Sequence, residues 1–354
     1  MNIVSRREFI GVAAGAGLLA TNPLLAQRAD ATAQKLVVAD PGGPFTPAFT
    51  AAYGEPFQKA TGINIVEVAI EPEPLATVKS MVDLKQYTRD VVALDTAVAR
   101  NLGEQGLLEP IDWNQAGMAK NRIIPSERLP YWMGVAVYAT IQAYRTDKYS
   151  NNGPKTWADF WNVQKFPGRR AMRKSPYDTL EEALLADGVT PDKLYPLDMD
   201  RAFKKLDQIK QHVTVWWTGG AQATQLLQSG DVDICPVWNG RAQVAIDSGA
   251  PVAIAWNHGI YLTIGWSIPK GDPNAADSQK FIAFCSDAKR MAAWTQKLAY
   301  GPTNIDAYKY ISPERAKVLP TAPNRLKDLV QSNAQWWAQN QNEAIKRFDA
   351  WLIS

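Results

Sequence analysis

Short runs of β-branched and apolar residues alternate along this chain with longer stretches in which apolar positions recur every three or four residues. That order predicts α/β layers with largely parallel sheets. Lys35 to Asp40 reads as a first strand running into Pro41-Gly42-Gly43-Pro44, and Ile63 to Ala69 as a second, a βαβ opening. Asp90 to Asp95 is a buried central strand, and Ala97 to Gly103 a short helix. Val135 to Thr140 and Ile141 to Tyr144 are extended, joining segments.

Thr156-Trp157-Ala158-Asp159 carries the Thr and acid spacing that satisfies the free amides of a helix start. Strand-like Arg170 to Arg173 precedes helical stretches near 179–187 and 200–211. The strand Val213 to Trp217 then leads into Thr218-Gly219-Gly220, which opens a helix. Val232 to Val237 and Val252 to Trp256 are buried strands. Residues 274–296 predict one capped helix, with Phe281, Phe284, Ala288 and Met291 on one face, and residues 324–352 are helical again.

The chain's 354 residues, 46% of them hydrophobic and 21% charged, suffice for two compact lobes. The first residues add an address. Ser5-Arg6-Arg7-Glu8-Phe9-Ile10 and the small, apolar run that follows, up to Leu24-Leu25-Ala26, have the pattern of a twin-arginine signal peptide over 1–26. Its apolar stretch is too short and too glycine-rich for a membrane span. Cleavage near Ala26 would remove Arg6, Arg7 and Glu8 and lower the net charge from +3 to +2. Lysines and arginines are dispersed, so neither nucleic acid nor lipid is indicated as a partner. Cys235 in a strand and Cys285 on an apolar helix face read as two buried thiols.

Several separated motifs carry a resemblance. They include Pro56-Phe57-Gln58-Lys59-Ala60-Thr61-Gly62-Ile63, Asp90-Val91-Val92, Gly106-Leu107-Leu108-Glu109-Pro110-Ile111-Asp112, Phe166-Pro167-Gly168 and Gln228-Ser229-Gly230-Asp231-Val232-Asp233. Val237-Trp238-Asn239-Gly240-Arg241, Gly301-Pro302-Thr303-Asn304 and Trp336-Trp337-Ala338-Gln339-Asn340 follow in order. In this order the chain resembles the spermidine/putrescine-binding branch of the bacterial extracellular solute-binding proteins, over essentially the whole length after the leader.

The resemblance implies an α/β, two-lobed periplasmic binding protein type II fold, each lobe a mixed sheet flanked by helices, the lobes joined by two crossover segments. Residues 35–137 with 260–310 would form one lobe, 138–259 the other, and 311–354 C-terminal helices packing on both. The crossings fall near Tyr138 and Gly259. A monomeric periplasmic protein is expected, which catches a small-molecule ligand in the cleft and docks on an inner-membrane ABC permease after export by the twin-arginine machinery. Closure over a ligand needs no catalytic group and no cofactor.

The ligand is the open question. Polyamine binders hold cations between aromatic faces and carboxylates. Asp178 and Trp238 match such positions, whereas Ser175 stands where an acid is expected, and Tyr261-Leu262-Thr263-Ile264 places Leu262 and Ile264 where an aromatic residue and an Asp belong. Other residues point to an anion. The free amides of Thr218-Gly219-Gly220-Ala221, which opens a helix, favour a carboxylate, and Arg241 could clamp it; among the tryptophans Trp216, Trp217, Trp238 and Trp256 are the cleft candidates. Asp40, the Gly42-Gly43 loop, Asp95 and Thr96 lie at strand carboxyl ends, where open α/β sheets bind ligands. The expected ligand is a nitrogen-containing solute bearing a carboxylate, with a polyamine as the alternative.

A ferric-ion binder would need a cluster of hard ligands, yet there is no Tyr-Tyr pair, and His212 and His258 lack metal-site spacing. No Gly-x-Ser-x-Gly turn accompanies His258, which argues against an enzyme.

Overall fold

The computed structural model describes residues 34–40, 42–43, 45–69, 74–322 and 325–354. The leader motif at Arg6-Arg7, together with Pro41 and Pro44, lies outside them.

One mixed sheet runs through the molecule. Its strands are β1 (Lys35–Asp40), β2 (Asn64–Ala69), β3 (Val91–Asp95), β4 (Arg128–Leu129), β5 (Trp132–Arg145), β6 (Arg170–Arg173), β7 (Val213–Trp217), β8 (Ile234–Trp238), β9 (Val252–Ser267), β10 (Gly301–Pro302) and β11 (Val330–Gln331). The order is β2-β1-β3-β9-β5-β8-β6-β7, with β4 and β10 on β5 and β11 on β9. β1, β2 and β3 pair in parallel at one end, as do β8, β6 and β7 at the other. Between them the long antiparallel strands β5 and β9 belong to both groups.

The sequence pattern divides these long strands into pieces, but the fold joins them. Val135 to Tyr144 is continuous within the fourteen residues of β5, and Val252 to Trp256 is the first third of β9. The β5–β9 register slips between Thr140 and Gln142, where the partner jumps from Ile260 to Ala255. The looped-out residues include His258, with φ of +55°, held by Trp157, whose indole N–H donates to its carbonyl at 2.8 Å. Hydrophobic alternation persists on either side of such a bulge, so its position is not legible from the pattern.

The predicted helix over 274–296 is two helices, Ala275–Cys285 and Ala288–Lys297. Asp287 separates them by accepting from the amides of Lys289 and Arg290 at 3.0 and 3.1 Å, an N-cap inside an apolar periodicity. Likewise the C-terminal helix begins only at Ala334, after the short strand β11.

Separate cores serve the two ends of the sheet. Phe49, Phe57, Trp266, Phe281 and Trp294 pack together at the β1–β3 end. Phe160, Leu180 and Leu206 pack at the other, and Trp337, Ala344 and Phe348 of the helix Ala334–Ile353 join that second core. The same helix reaches the helix Thr96–Glu104, where the Asn101 side-chain amide donates to the Ala338 carbonyl at 2.8 Å. No helix among the described residues is long and apolar enough to cross a membrane. Cys235 and Cys285 are free and buried, in different clusters.

Candidate functional site

The carboxyl ends of β1, β3, β6 and β8 converge where the two ends of the sheet face one another. β1 ends at Asp40, which is buried; its Oδ1 accepts from the Gly42 amide and from the Thr46 hydroxyl. Asp40 thus shapes the turn and the start of the following helix, while burial raises its pKa. Gly42 and Gly43 have φ of +70° and +60°, a region in which a side chain is strained. A Cβ on Gly43 would also stand 2.9 Å from Arg241 Nη1.

Arg241 comes from the far side, on the helix Asn239–Asp247 that follows β8. It is 2% exposed, donates from Nη2 to the Gly42 carbonyl at 3.2 Å and lies 4.8 Å from the Phe45 ring. Its Nε and Nη1 groups have no hydrogen-bond partner among the described residues. A Cβ on Gly220 would meet Arg241 Nε at 2.6 Å, so the helix Gly220–Ser229 begins against the guanidinium. Gly219 is the N-cap of that helix and supplies no side-chain cap.

The second cluster surrounds the end of β3. Asp95 accepts from the Tyr138 hydroxyl at 2.9 Å, and burial pushes its carboxyl up to about 6, against the pull of that bond and of Arg173. Asp178, 2% exposed with φ of +66°, accepts from the Thr140 hydroxyl at 2.8 Å and from Arg173 Nη1 at 3.3 Å. Burial raises its pKa too. On the next helix Glu181 accepts at 2.6 Å from both the Tyr195 hydroxyl and the Trp337 indole, and burial drives it to about 7. Glu182 is also buried and its pKa is raised. Three carboxyls, Asp95, Asp178 and Glu182, thus feel the charge of one guanidinium, Arg173, which lies 5.1 Å from the Trp238 ring.

Between the two ends of the sheet lies a pocket lined by Leu75, Asp95, Tyr138, Arg173, Tyr177, Leu262, Trp337 and Gln341. Tyr177 donates to Gln341 at 2.6 Å, and its ring lies 4.3 Å from Trp337. Tyr138 in turn packs against Tyr300 and Trp238 at 5.5 and 6.1 Å, and Phe45 reaches Tyr300 at 5.2 Å. This aromatic wall connects the Asp95 cluster to the Arg241 cluster. The pocket holds about 60 Å³, room for a few waters.

The sequence-derived residues divide accordingly. Asp95 lines the pocket, with Asp178 and Trp238 around it. Asp40, Gly42, Gly43 and Arg241 form the neighbouring cluster, while Gly219 caps the helix that begins beside it. Thr96 and Tyr261 line a different cavity. Trp217 is fully buried, donating to the Pro236 carbonyl at 3.2 Å, and Ile264 packs in the first core beside Trp266. Thr218 is exposed, its amide donating to Gln222 at 3.0 Å, and Ser175 is half-buried outside either cluster. Trp216 packs on Phe348 and Trp351, and Trp256 lies under Arg325 at 4.1 Å, both away from the two clusters. Sequence reasoning missed Arg173, Tyr177, Trp337 and Gln341. The first stands at the end of a predicted strand, a signal available in principle; the last three depend on where the C-terminal helix docks.

Comparison with known proteins adds the following. A family model for the bacterial extracellular solute-binding proteins matches residues 52–324. The γ-aminobutyric acid-binding protein of Pseudomonas aeruginosa is 35% identical over 331 residues, 92% of this chain and 93% of that one. An ABC transporter substrate-binding protein from Bradyrhizobium japonicum superposes with a TM-score of 0.84 at 39% identity, over 90% of this chain and 99% of that one. The PBP AgtB from A. tumefaciens R10, in complex with agropinic acid, gives 0.83 at 34% identity, over 91% and 99%.

Proposed function

We infer from the premise that this chain belongs to the bacterial extracellular solute-binding protein family that its cleft takes a small amino carboxylate for an ABC importer. It is a binding protein and not an enzyme. The fold is that of the two-lobed periplasmic binding proteins, and residues 35–137 with 260–310, and 138–259, are our assignment of the lobes. The β5–β9 register slip at Thr140 supports a hinge there.

One observation carries the ligand reading: Asp95 and Arg173 line the same small pocket, with Tyr138, Tyr177 and Trp337 beside them. A carboxylate suits the guanidinium as a charge-assisted pair, an ammonium suits Asp95, and the rings pack against the methylenes between. Arg241, buried and in reach of the Gly42 carbonyl, ties the far lobe to the first when they close. The relative named for γ-aminobutyric acid supports an amine-bearing carboxylate. Twin-arginine export and leader cleavage near Ala26 belong to the same reading, supported by the Ser5-Arg6-Arg7 motif.

Titration calorimetry with γ-aminobutyrate, putrescine and spermidine tests it. The expected result is binding of γ-aminobutyrate that weakens at least tenfold in Arg173→Met and in Asp95→Asn. A second reading, polyamine capture, is favoured by the four carboxyls Asp95, Asp178, Glu181 and Glu182. Tight putrescine binding that persists in Arg173→Met would select it and discard the first.

A further inference from the structure

Asp178 has a backbone φ of +66°, in the left-handed region that strains a residue with a side chain. It occupies the N-cap position of the helix Thr179–Ala186, yet its side chain caps no amide of that helix. The carboxylate is turned instead toward β5 and β6, where Oδ2 accepts from the Thr140 hydroxyl at 2.8 Å and from Arg173 Nη1 at 3.3 Å. A strained backbone and a missing cap thus accompany one arrangement, a buried carboxylate held beside a guanidinium.

Arg173 reaches that carboxylate from the last position of β6, where it pairs in register with Trp217 of β7. Its Cζ lies 5.1 Å from the centre of the Trp238 ring and 6.0 Å from that of Trp217. Tyr138 and Trp217 pack against Trp238 in T-shaped pairs at 6.1 and 5.6 Å, so the guanidinium completes an aromatic cluster. A carboxylate together with an aromatic face is the setting that holds a ligand's ammonium. Here the chain's own cation has that seat. Its side chain is 22% exposed and lines the pocket.

The nearby charges agree with this. Burial raises Glu182 well above the usual carboxylate range and Glu181 to about 7, so neither offers a full negative charge near neutrality. Asp95 and Asp178 remain. Arg173 pairs with Asp178, whereas Asp95 lines the pocket bonded to the Tyr138 hydroxyl, and among the described residues no ion pair reaches it.

We propose that Arg173 is a specificity determinant of this pocket, a resident cation filling the seat on Asp178 and the Trp238 ring that the second ammonium of a diamine would otherwise take. The pocket then admits one ammonium, at Asp95, and turns a diamine away, since two cations crowded into a partly desolvated site repel by on the order of tenfold or more in affinity. This rests on the amino-carboxylate reading of the same pocket. It gives Arg173 a role apart from any bond to the ligand's carboxylate, because it decides which ligands are refused.

Titration calorimetry with putrescine and with γ-aminobutyrate tests this in wild type, Arg173→Met, Arg173→Gln and the double variant Arg173→Met with Asp178→Asn, each checked for a cooperative melt. Putrescine affinity is expected to rise at least tenfold over wild type in both single variants and to fall back in the double variant, which has lost the seat as well as its occupant. Arg173→Gln keeps a donor for Asp178 and carries the test if the unpartnered carboxylate unfolds Arg173→Met. Putrescine affinity no higher than wild type in a folded single variant, or a gain that survives Asp178→Asn, overturns the resident cation. A variant that gains putrescine while keeping wild-type affinity for γ-aminobutyrate overturns the carboxylate's place at Arg173 and leaves the exclusion standing. Loss of γ-aminobutyrate with no gain of putrescine does the reverse, so the two failures are told apart.

Discussion

The Tyr138 hydroxyl donates a 2.9 Å hydrogen bond to Asp95, joining the middle of one long strand to the end of its neighbour's neighbour at the pocket wall. Asp95 titrates near 6 in the folded chain against 3.8 ordinarily, because burial outweighs that bond. An ammonium needs the charged form. Affinity for γ-aminobutyrate should therefore be level above about pH 6 and fall, at the steepest about tenfold per unit, as pH drops through 6. Calorimetry between pH 4.5 and 8 measures this, and Asp95→Asn should bind weakly with no such slope.

Stability of the ligand-free chain should run the opposite way. Glu181 moves from 4.5 to about 7 on folding, so the folded state holds the extra proton between those values. Its contribution is full below about pH 4.5 and is lost as pH rises through 7, costing about 3 kcal/mol by pH 8. Glu182 pushes in the same direction. Glu181→Gln keeps an acceptor for Tyr195 and Trp337 and removes the charge. Urea unfolding at pH 5.5 and 8 should show a smaller difference in the variant; an equal difference would assign the pH dependence elsewhere.

Trp337→Phe removes one of the two donors that hold Glu181 and keeps most of the ring. A loss of about 1–3 kcal/mol is expected, since a buried acceptor is left short of a partner. The same change should weaken ligand binding, because Trp337 lines the pocket. Denaturant melts and calorimetry on the same preparation separate the two effects.

Arg241→Ala should weaken binding about tenfold, or 1.4 kcal/mol, by removing the contact to Gly42 that favours closure. Small-angle scattering should find the ligand-saturated variant still able to compact. Unchanged affinity would leave the arginine with a purely structural role.

Cys235 and Cys285 should resist Ellman's reagent in the native state and both react on unfolding. Both are fully buried, and burial raises each thiol's pKa. Rapid labelling of either in native buffer would contradict their placement.

Much of this was available from residue order. Strands β1, β3, β6 and β7 and the helix start at Thr156 follow from hydrophobic runs and a capping box, whose bonds are short-range: the Asp159 amide donates to the Thr156 hydroxyl at 3.2 Å. Asp95 and Asp178 were found because strand ends and motif positions mark them. Ser175 and Thr218 were singled out by the same logic, yet one side chain lies outside both clusters and the other faces solvent, since a strand end fixes where a residue is and not where it points.

The sequence by itself determined the class of the protein. Local periodicity and the turn glycines at 42 and 43 are properties of neighbouring residues and specify α/β layers, and the ordered motifs carry the resemblance to the extracellular solute-binding proteins. Only the tertiary structure decided which residues meet. Trp337 reaches Glu181 across 156 positions of chain, and Arg241 reaches Gly42 across 199. Such contacts are set by how the C-terminal helix and the two long strands pack, and a pattern with a period of two or four residues carries no information at that range.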